Sequence, residues 1–347
     1  MPRLGIVGLG NWGWNLGRAF AEMKECRLLY CCDSNHKRSE AFEAAYPHTK
    51  AVPDFDALLS KELDAVVIAT PAVTHYELAR KALLARRDVF VEKPLTLSVR
   101  EAEELLTLAD ARHRVLMVGH ILLFHPVLRH LRKIIQSGDL GSVYYLTMQR
   151  VNLGRIRGDE NVLWSFAPHD ISQALYLLDD EPVEVAAQGQ SYIQQGIEDV
   201  VFLGLSFANR AMAHIHVSWL DPHKIRRVTV VGSKKMAVFD DIETTEKLRI
   251  YDRCAHPPQV RTYGDAIQLR FGDILIPRVE MAEPLKLECR HFCDCLESRE
   301  SPITDGRNGL KILRILDAAQ RSLQLNGVPQ NIYAQPHPSH GQHRHPD

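Results

Sequence analysis

A short apolar run, Leu4-Gly5-Ile6-Val7, leads without a break into Gly8-Leu9-Gly10-Asn11-Trp12-Gly13, and a helical pattern follows from Trp14 to Met23. Strand, G-x-G-x-x-G and helix in that order is the setting of a dinucleotide-binding turn. The three glycines have separate jobs. Gly8 permits the tight turn, Gly10 lets a pyrophosphate approach the backbone, and Gly13 allows close packing of helix on strand, with the phosphates on the helix N-terminus. A second strand, Arg27 to Cys32, ends at Asp33, twenty residues after Gly13, where an acid suits a ribose hydroxyl. Asp33 favours NAD. A carboxylate there repels a 2′-phosphate, although Lys37 and Arg38 just beyond can offset it, so NADP is disfavoured. The competing reading is a phosphate-free turn with a chance acid.

The alternation continues with helices at 36–46 and 54–60, a strand at 64–69, a helix at 74–86, a strand at 88–92, a helix at 98–111 and a strand at 115–118. Strands alternating with helices predict a doubly wound parallel sheet. Val89-Phe90-Val91-Glu92-Lys93-Pro94-Leu95 ends one of these strands in an acid, a lysine and a proline. Ligands of such sheets bind beyond the carboxyl ends of the strands, so Lys93 is placed at the binding edge; a solvated lysine at a turn is the plainer alternative. Pro94 restricts Lys93 to extended backbone and is compatible with a cis bond. Strand 64–69 ends in Thr70-Pro71 and reaches His75, three residues expected along the cofactor groove, with Thr74 a candidate N-cap.

Beyond Gly119-His120 the pattern changes. A helix at 124–136 gives way to alternating runs at 143–151, 183–192, 200–207, 211–219, 225–231, 236–240 and 248–252. Successive strands separated by turn signals predict a largely antiparallel sheet in a second domain. A helix over 162–178 interrupts them, and Pro168 near its start could set where His169 points, although a histidine in such a helix is commonly structural. Residues 253–284, with Pro257-Pro258, Gly264 and Gly272, read as an irregular lid or binding loop, and helices at 285–298 and 307–325 close the fold. The organisation expected is a Rossmann α/β domain over 1–121, an α+β substrate-binding and oligomerisation domain on an open, largely antiparallel sheet over 122–330, and a disordered His-rich tail over 331–347.

With 42 basic and 43 acidic residues, the chain lacks the basic excess of a nucleic-acid binder. No apolar run approaches the roughly 18 to 20 residues that span a bilayer, and the N-terminus has no leader pattern, so a cytoplasmic protein without membrane partners is expected. Seven cysteines form no C-x-x-C pair and read as free thiols. Cys289 and Cys293, at helical spacing, fit a buried face better than a metal site, and no metal is expected.

Gly8-x-Gly10-x-x-Gly13, Thr70-Pro71 with His75, Glu92-Lys93-Pro94 and His169 stand in an order that resembles the Gfo/Idh/MocA oxidoreductase family over residues 1 to about 325. The resemblance implies NAD as cofactor, bound around Gly8, Gly10, Asn11, Trp12, Gly13, Asp33, Thr70, Pro71, His75, Glu92 and Lys93. It also implies that Lys93 and His169 flank the reacting carbon. Asn11-Trp12-Gly13-x-Asn15, Asn152-Leu153-Gly154-Arg155, Asn161-Val162-Leu163-Trp164 and Glu283-Pro284-Leu285 before Glu288-Cys289-x-His291-Phe292 are similar to the sugar-nucleotide branch, whose members oxidise the C3 hydroxyl of a UDP-sugar such as UDP-N-acetylglucosamine. The substrate residues so implied are Lys93, Asn152, Trp164, Ser165 and His169, with Arg155 and Arg157 as candidates for the two phosphates because guanidinium forks suit phosphate oxygens. One departure stands out: members commonly carry an acid four residues before the histidine, where this chain has Ser165. Alternatives are a free-sugar, uronate or inositol dehydrogenase, a deoxysugar ketoreductase, or an NAD-binding sensor without turnover. An open sheet face also predicts a homo-oligomer, dimer or tetramer.

Overall fold

The computed structural model describes residues 1–154, 156–256 and 267–333. Strands β1 (Arg3–Val7), β2 (Arg27–Cys32), β3 (Lys50–Ala51), β4 (Ala65–Ile68), β5 (Asp88–Glu92) and β6 (Leu116–Gly119) form one parallel sheet in the order β3-β2-β1-β4-β5-β6. They alternate with helices α1 (Asn11–Ala21), α2 (His36–Ala45), α3 (Phe55–Leu59), α4 (His75–Leu84) and α5 (Val99–Arg112). The order reverses between β1 and β4, which opens a crevice at the carboxyl ends of those strands. Every residue of β4 and β5 is buried, as expected of central strands covered on both faces.

The chain then forms α6 (Pro126–Gln136), β7 (Val143–Val151), α7 (Val162–Leu178), β8 (Pro182–Gln190), β9 (Val200–Phe207), β10 (Met212–Ser218), β11 (Ile225–Gly232), β12 (Met236–Asp240), β13 (Leu248–His256), β14 (Gln268–Leu275), α8 (Pro284–Ser298), α9 (Gly306–Gln324) and β15 (Gln330–Asn331). Its nine strands make a mostly antiparallel sheet, order β14-β13-β12-β11-β7-β10-β9-β8-β15, in which β7 and β10 run parallel. The inward residues Leu146, Met148, Leu203, Leu205, Ile215 and Val217 pack with Val162, Leu163, Ala167 and Ile171 of α7. The outward positions of the same strands expose Tyr145, Phe202 and Met212. This period-two alternation is the pattern of a sheet covered on one side.

Helices α8 and α9 return to the first sheet and join the two halves. Phe292 of α8 meets Phe90 of β5 edge-on at 5.6 Å between ring centres, and Phe90 meets Phe20 of α1 at 6.1 Å. On α9, Leu310 and Leu313 enter the core of the parallel sheet, while Ile312, Ile315 and Leu316 enter that of the nine-stranded sheet. Cys26, Cys31, Cys32, Cys289, Cys293 and Cys295 are buried free thiols, and Cys26, Cys289 and Cys293 lie in the same cluster as Phe90.

Five expectations need correction. The segment 253–284 is not an irregular loop throughout: β13 runs to His256 and pairs antiparallel with β14, the residues 257–266 between them lying outside the described ones. Their alternation was hidden because every residue of β14 is exposed, so no apolar face marks it. The two-residue β3 was too short to show a period. Thr74 does not cap α4, since its hydroxyl donates to the carbonyl of Pro71 and exchanges a hydrogen bond with the Thr70 hydroxyl, which can donate to it. Pro168 lies in the interior of α7, not near its start, which is capped by Asn161 accepting from the Trp164 N–H. The tail expected over 331–347 does not begin at 331, since Asn331 pairs with Glu184 in β15 and Ile332 is buried in the core; 334–347 falls outside the described residues.

Phe90 locks the strand that carries Lys93 between two helices. Phe90→Ala is expected to lower unfolding free energy by about 3–5 kcal/mol, measured by urea denaturation.

Candidate active site

The cofactor turn is built by steric exclusion. Gly8 has φ +90°, and a Cβ there would sit 2.7 Å from the carbonyl of Ala69, just past the end of neighbouring β4. A Cβ on Gly13 would fall 2.0 Å from the Gly8 carbonyl oxygen, so α1 approaches the strand only because that side chain is absent. Gly10 is different. A Cβ there would meet nothing within 4 Å, so the fold itself places no demand for glycine at that position. The open space lies at the N-cap of α1, whose first-turn N–H groups carry no side-chain cap and whose first turn holds no acid. A dinucleotide's pyrophosphate fits this space, with free donors and the positive end of the helix facing it.

Asp33, 6% exposed, accepts hydrogen bonds from the Leu9 N–H at 2.6 Å and the Asn35 N–H at 2.8 Å. Its carboxylate thus braces the glycine turn itself. Arg38 lies 3.7 Å from it. The ring of His75 spans the crevice floor, with Nδ1 2.7 Å from the Pro94 carbonyl and Nε2 2.9 Å from the Thr70 carbonyl. Burial lowers its pKa, and a neutral imidazole can donate only one of those two bonds. The loop after β4 and the loop after β5 are tied together through this one side chain.

At the end of β5 the Lys93–Pro94 bond is cis. Glu92 is buried, accepts from the Trp12 indole N–H at 2.5 Å, and has its pKa raised to about 7, chiefly by burial. Behind it on α8 stands Glu288, fully buried with neither carboxyl oxygen hydrogen-bonded, and pushed well above the carboxylate range by burial and by the Glu92 charge. Lys93 Nζ donates to the Ser165 carbonyl at 3.2 Å, reaching from the parallel sheet to α7. Burial pulls the Lys93 pKa down from 10.5, with Glu160 and Glu92 holding it up.

One turn along α7 stands His169, whose Nδ1 is buried and unpartnered. Desolvation, then the charges of Lys93 and Arg150, press its pKa well below 6.5. His120, at the end of β6, is 2% exposed and pushed down to about 3 by burial and Lys93. Both imidazoles are therefore uncharged at neutral pH. Asp170 is held by Arg150 of β7, Nε to Oδ2 at 2.7 Å and Nη2 to Oδ1 at 3.2 Å.

Lys93 thus reaches the helix that carries His169 and acts on that imidazole through space, with Ser165 contributing its main-chain oxygen. Other candidates are engaged elsewhere. The Trp164 indole donates to Gln320 Oε1 at 3.0 Å, and Arg157 is paired with Glu160 at 2.6 Å. Asn152 follows the end of β7, its N–H donating to the Ser218 carbonyl at 3.2 Å. Arg155 lies outside the described residues. Arg150 and His120 were missed because each looks like an ordinary strand or strand-end residue; the contact of Arg150 with Asp170 on α7 reveals the first, and burial beside Lys93 the second.

The glycine turn, the switch-point crevice and a desolvated lysine beside a neutral histidine define a nicotinamide-dinucleotide oxidoreductase. Residues 2–120 match the oxidoreductase family with the NAD-binding Rossmann fold, and residues 128–238 match the GFO/IDH/MocA C-terminal domain. The chain is 30% identical over 316 residues to a UDP-N-acetylglucosamine 3-dehydrogenase of Acidithiobacillus ferrooxidans, covering 90% of this chain and 94% of that one. It is 26% identical over 334 residues to an inositol 2-dehydrogenase of Rhizobium meliloti, covering 92% and 96%. A solved structure of the Acidithiobacillus ferrooxidans enzyme superposes with a TM-score of 0.79 at 27% identity, covering 94% of this chain and 98% of that one. The chain belongs to the Gfo/Idh/MocA family and is an NAD-binding oxidoreductase.

The two glycines separate fold from binding. Gly10→Ala is expected to leave the thermal midpoint near wild type and weaken NAD binding about tenfold or more, because the added methyl occupies the phosphate space. Gly13→Ala should lower the midpoint as well. Thermal unfolding with and without NAD checks both.

Proposed function

We propose that the chain oxidises a secondary alcohol of a UDP-sugar with NAD, and that the preferred substrate is UDP-N-acetylglucosamine, oxidised at C3. The observation that carries this reading is the Lys93 ammonium held 3.2 Å from the Ser165 carbonyl on the helix that bears His169, in a crevice that lowers the pKa of both side chains. The similarity to UDP-N-acetylglucosamine 3-dehydrogenase supports the choice of sugar. Bound NAD supplies the hydride acceptor; Gly8, Gly10, Asn11, Trp12, Gly13, Asp33, Thr70, Pro71, His75 and Glu92 are assigned to hold it.

The proton of the substrate hydroxyl is assigned to Lys93. A general base works best with a pKa near the operating pH. His169, pressed well below 6.5, is too weak a base, whereas Lys93 is brought down from 10.5 toward that range. Neutral His169 then orients the hydroxyl. Asn152, Trp164 and Ser165 are assigned to the sugar, and Arg155 and Arg157 to its phosphates. Symmetric assembly belongs to the same reading and is supported by the outward face that exposes Tyr144, Tyr145, Phe202 and Met212.

NADH formation at 340 nm is to be followed with UDP-N-acetylglucosamine, its uronic acid and myo-inositol. Turnover of the first is expected; inositol alone would favour the activity named for the other relative, and NAD binding without turnover on any would favour a sensor. Lys93→Met should lower kcat about 10²- to 10⁴-fold while NAD binding is retained, and turnover within a few-fold of wild type would end the assignment.

The pH dependence follows from the sign of the Lys93 shift. The free amine is the base, so kcat/KM should rise with pH and level off above a pKa that lies below 10.5. Glu160 is the largest charge holding that pKa up. Glu160→Gln is therefore expected to move the rising limb to lower pH, and a limb that stays in place would count against Lys93 as the base.

A further inference from the structure

Strands β7 and β11 pair antiparallel in a register that sets Arg226 directly opposite Arg150. Both share the side of the sheet on which Met148 and Val228 join the core under α7. Like charges opposite each other across a ladder repel. Arg150 is neutralised by its two bonds to Asp170. Arg226 is not: its Nε is buried without a hydrogen-bond partner, and its guanidinium forms no ion pair among the described residues. Asp241 does not take its place. The Asp241 backbone N–H donates to the Arg226 carbonyl at 2.9 Å, but its carboxylate faces His125 at 3.4 Å and Lys247 at 3.9 Å.

At this end of the sheet two guanidinium groups stand beside a neutral His169; Asp170 is committed to Arg150, and Asp170 and Asp241 act on Arg226 only through space. Arg226 is half-buried, and a guanidinium partly drawn from water without a bonded counter-charge costs stability. Burial and then Arg150 push the Arg226 pKa down, while Asp241 and Asp170 oppose the shift through space. A purely structural arginine would be paired, as Arg150 is. A guanidinium kept unpaired in a substrate crevice has its donor fork free, and that fork matches the two oxygens of a carboxylate or a phosphate.

We infer that Arg226 binds an oxyanion of the substrate next to His169, the nearby acids being committed elsewhere, Asp170 to Arg150 and Asp241 to His125 and Lys247. This rests on the reading of the crevice as the substrate site. The anion is either the diphosphate of a nucleotide sugar or a carboxylate on the sugar ring. Arg226 is also a sounder candidate than Arg157, whose guanidinium is already held by Glu160.

The test uses the full chain loaded with NAD and titration calorimetry with UDP, pyrophosphate, glucuronate and neutral N-acetylglucosamine. Wild type should bind at least one of the anions. Arg226→Met should weaken that binding about thirtyfold or more, Arg226→Lys should retain part of it, and N-acetylglucosamine should not discriminate between the proteins. Loss confined to UDP and pyrophosphate identifies the diphosphate; loss confined to glucuronate identifies the carboxylate. Because the substitution removes an unpaired charge, the ligand-free thermal midpoint of Arg226→Met should stay at or above that of wild type. The inference is overturned if wild type binds none of the anions, if Arg226→Met binds them equally well, or if that midpoint falls. Binding is read without turnover, so failure of every UDP-sugar to yield NADH would remove the proposed activity and leave this site standing.

Discussion

Desolvation of the Lys93 ammonium is the constraint around which the crevice is arranged. A lysine drawn out of water loses hydration that neighbouring groups must in part replace. Here the replacement is a main-chain oxygen, that of Ser165, with the carboxylates of Glu92 and Glu160 acting through space. Pro168 has no N–H to donate to the carbonyl of Trp164 four residues back, so the helical ladder is interrupted one residue before Ser165. The histidines respond to the same charge: Lys93 is among the causes that keep His75, His120 and His169 neutral. Burial is the leading cause for all three imidazoles, and this one cation adds to it each time.

The acids behind Lys93 work in the opposite sense. Glu92 is hydrogen-bonded by Trp12 from the first helix, while Glu288 lies buried and unpartnered from the eighth. Two carboxyl groups this deeply buried and close enough to influence each other do not both ionise readily. The direction of both shifts is upward, with burial as the leading cause. The negative charge near the lysine is therefore smaller than the count of acids suggests.

Much of this was legible in the residues because it depends on short-range rules. The glycine turn, the buried strands 64–69 and 88–92 and the switch to alternating runs after His120 are local patterns, and each forms close to where the sequence places it. Lys93 and His169 were legible for the same reason, one ending a strand and the other in an apolar helix. What escaped depends on pairing between distant strands. Arg150 gains its meaning from Asp170 twenty positions on, and Arg226 from Arg150 across a ladder that only register reveals. Strand β14 escaped because a strand exposed on both faces has no period to read. Asp33, read as a ribose ligand from its motif position, also braces the turn, and that position does not disclose hydrogen bonds made behind it.

Helix α9 enters both cores, with Leu310 and Leu313 on one side and Ile312, Ile315 and Leu316 on the other. Close-packed interiors shear poorly. A rotation of one sheet against the other would have to drag those side chains out of two interlocked surfaces at once, so α9 acts as a spar fixing the distance between Lys93 and His169. The connections after β7 and after β8 are in turn tied to each other, Gln194 Nε2 donating to the Arg157 carbonyl at 3.1 Å. The protein is built as a rigid vise.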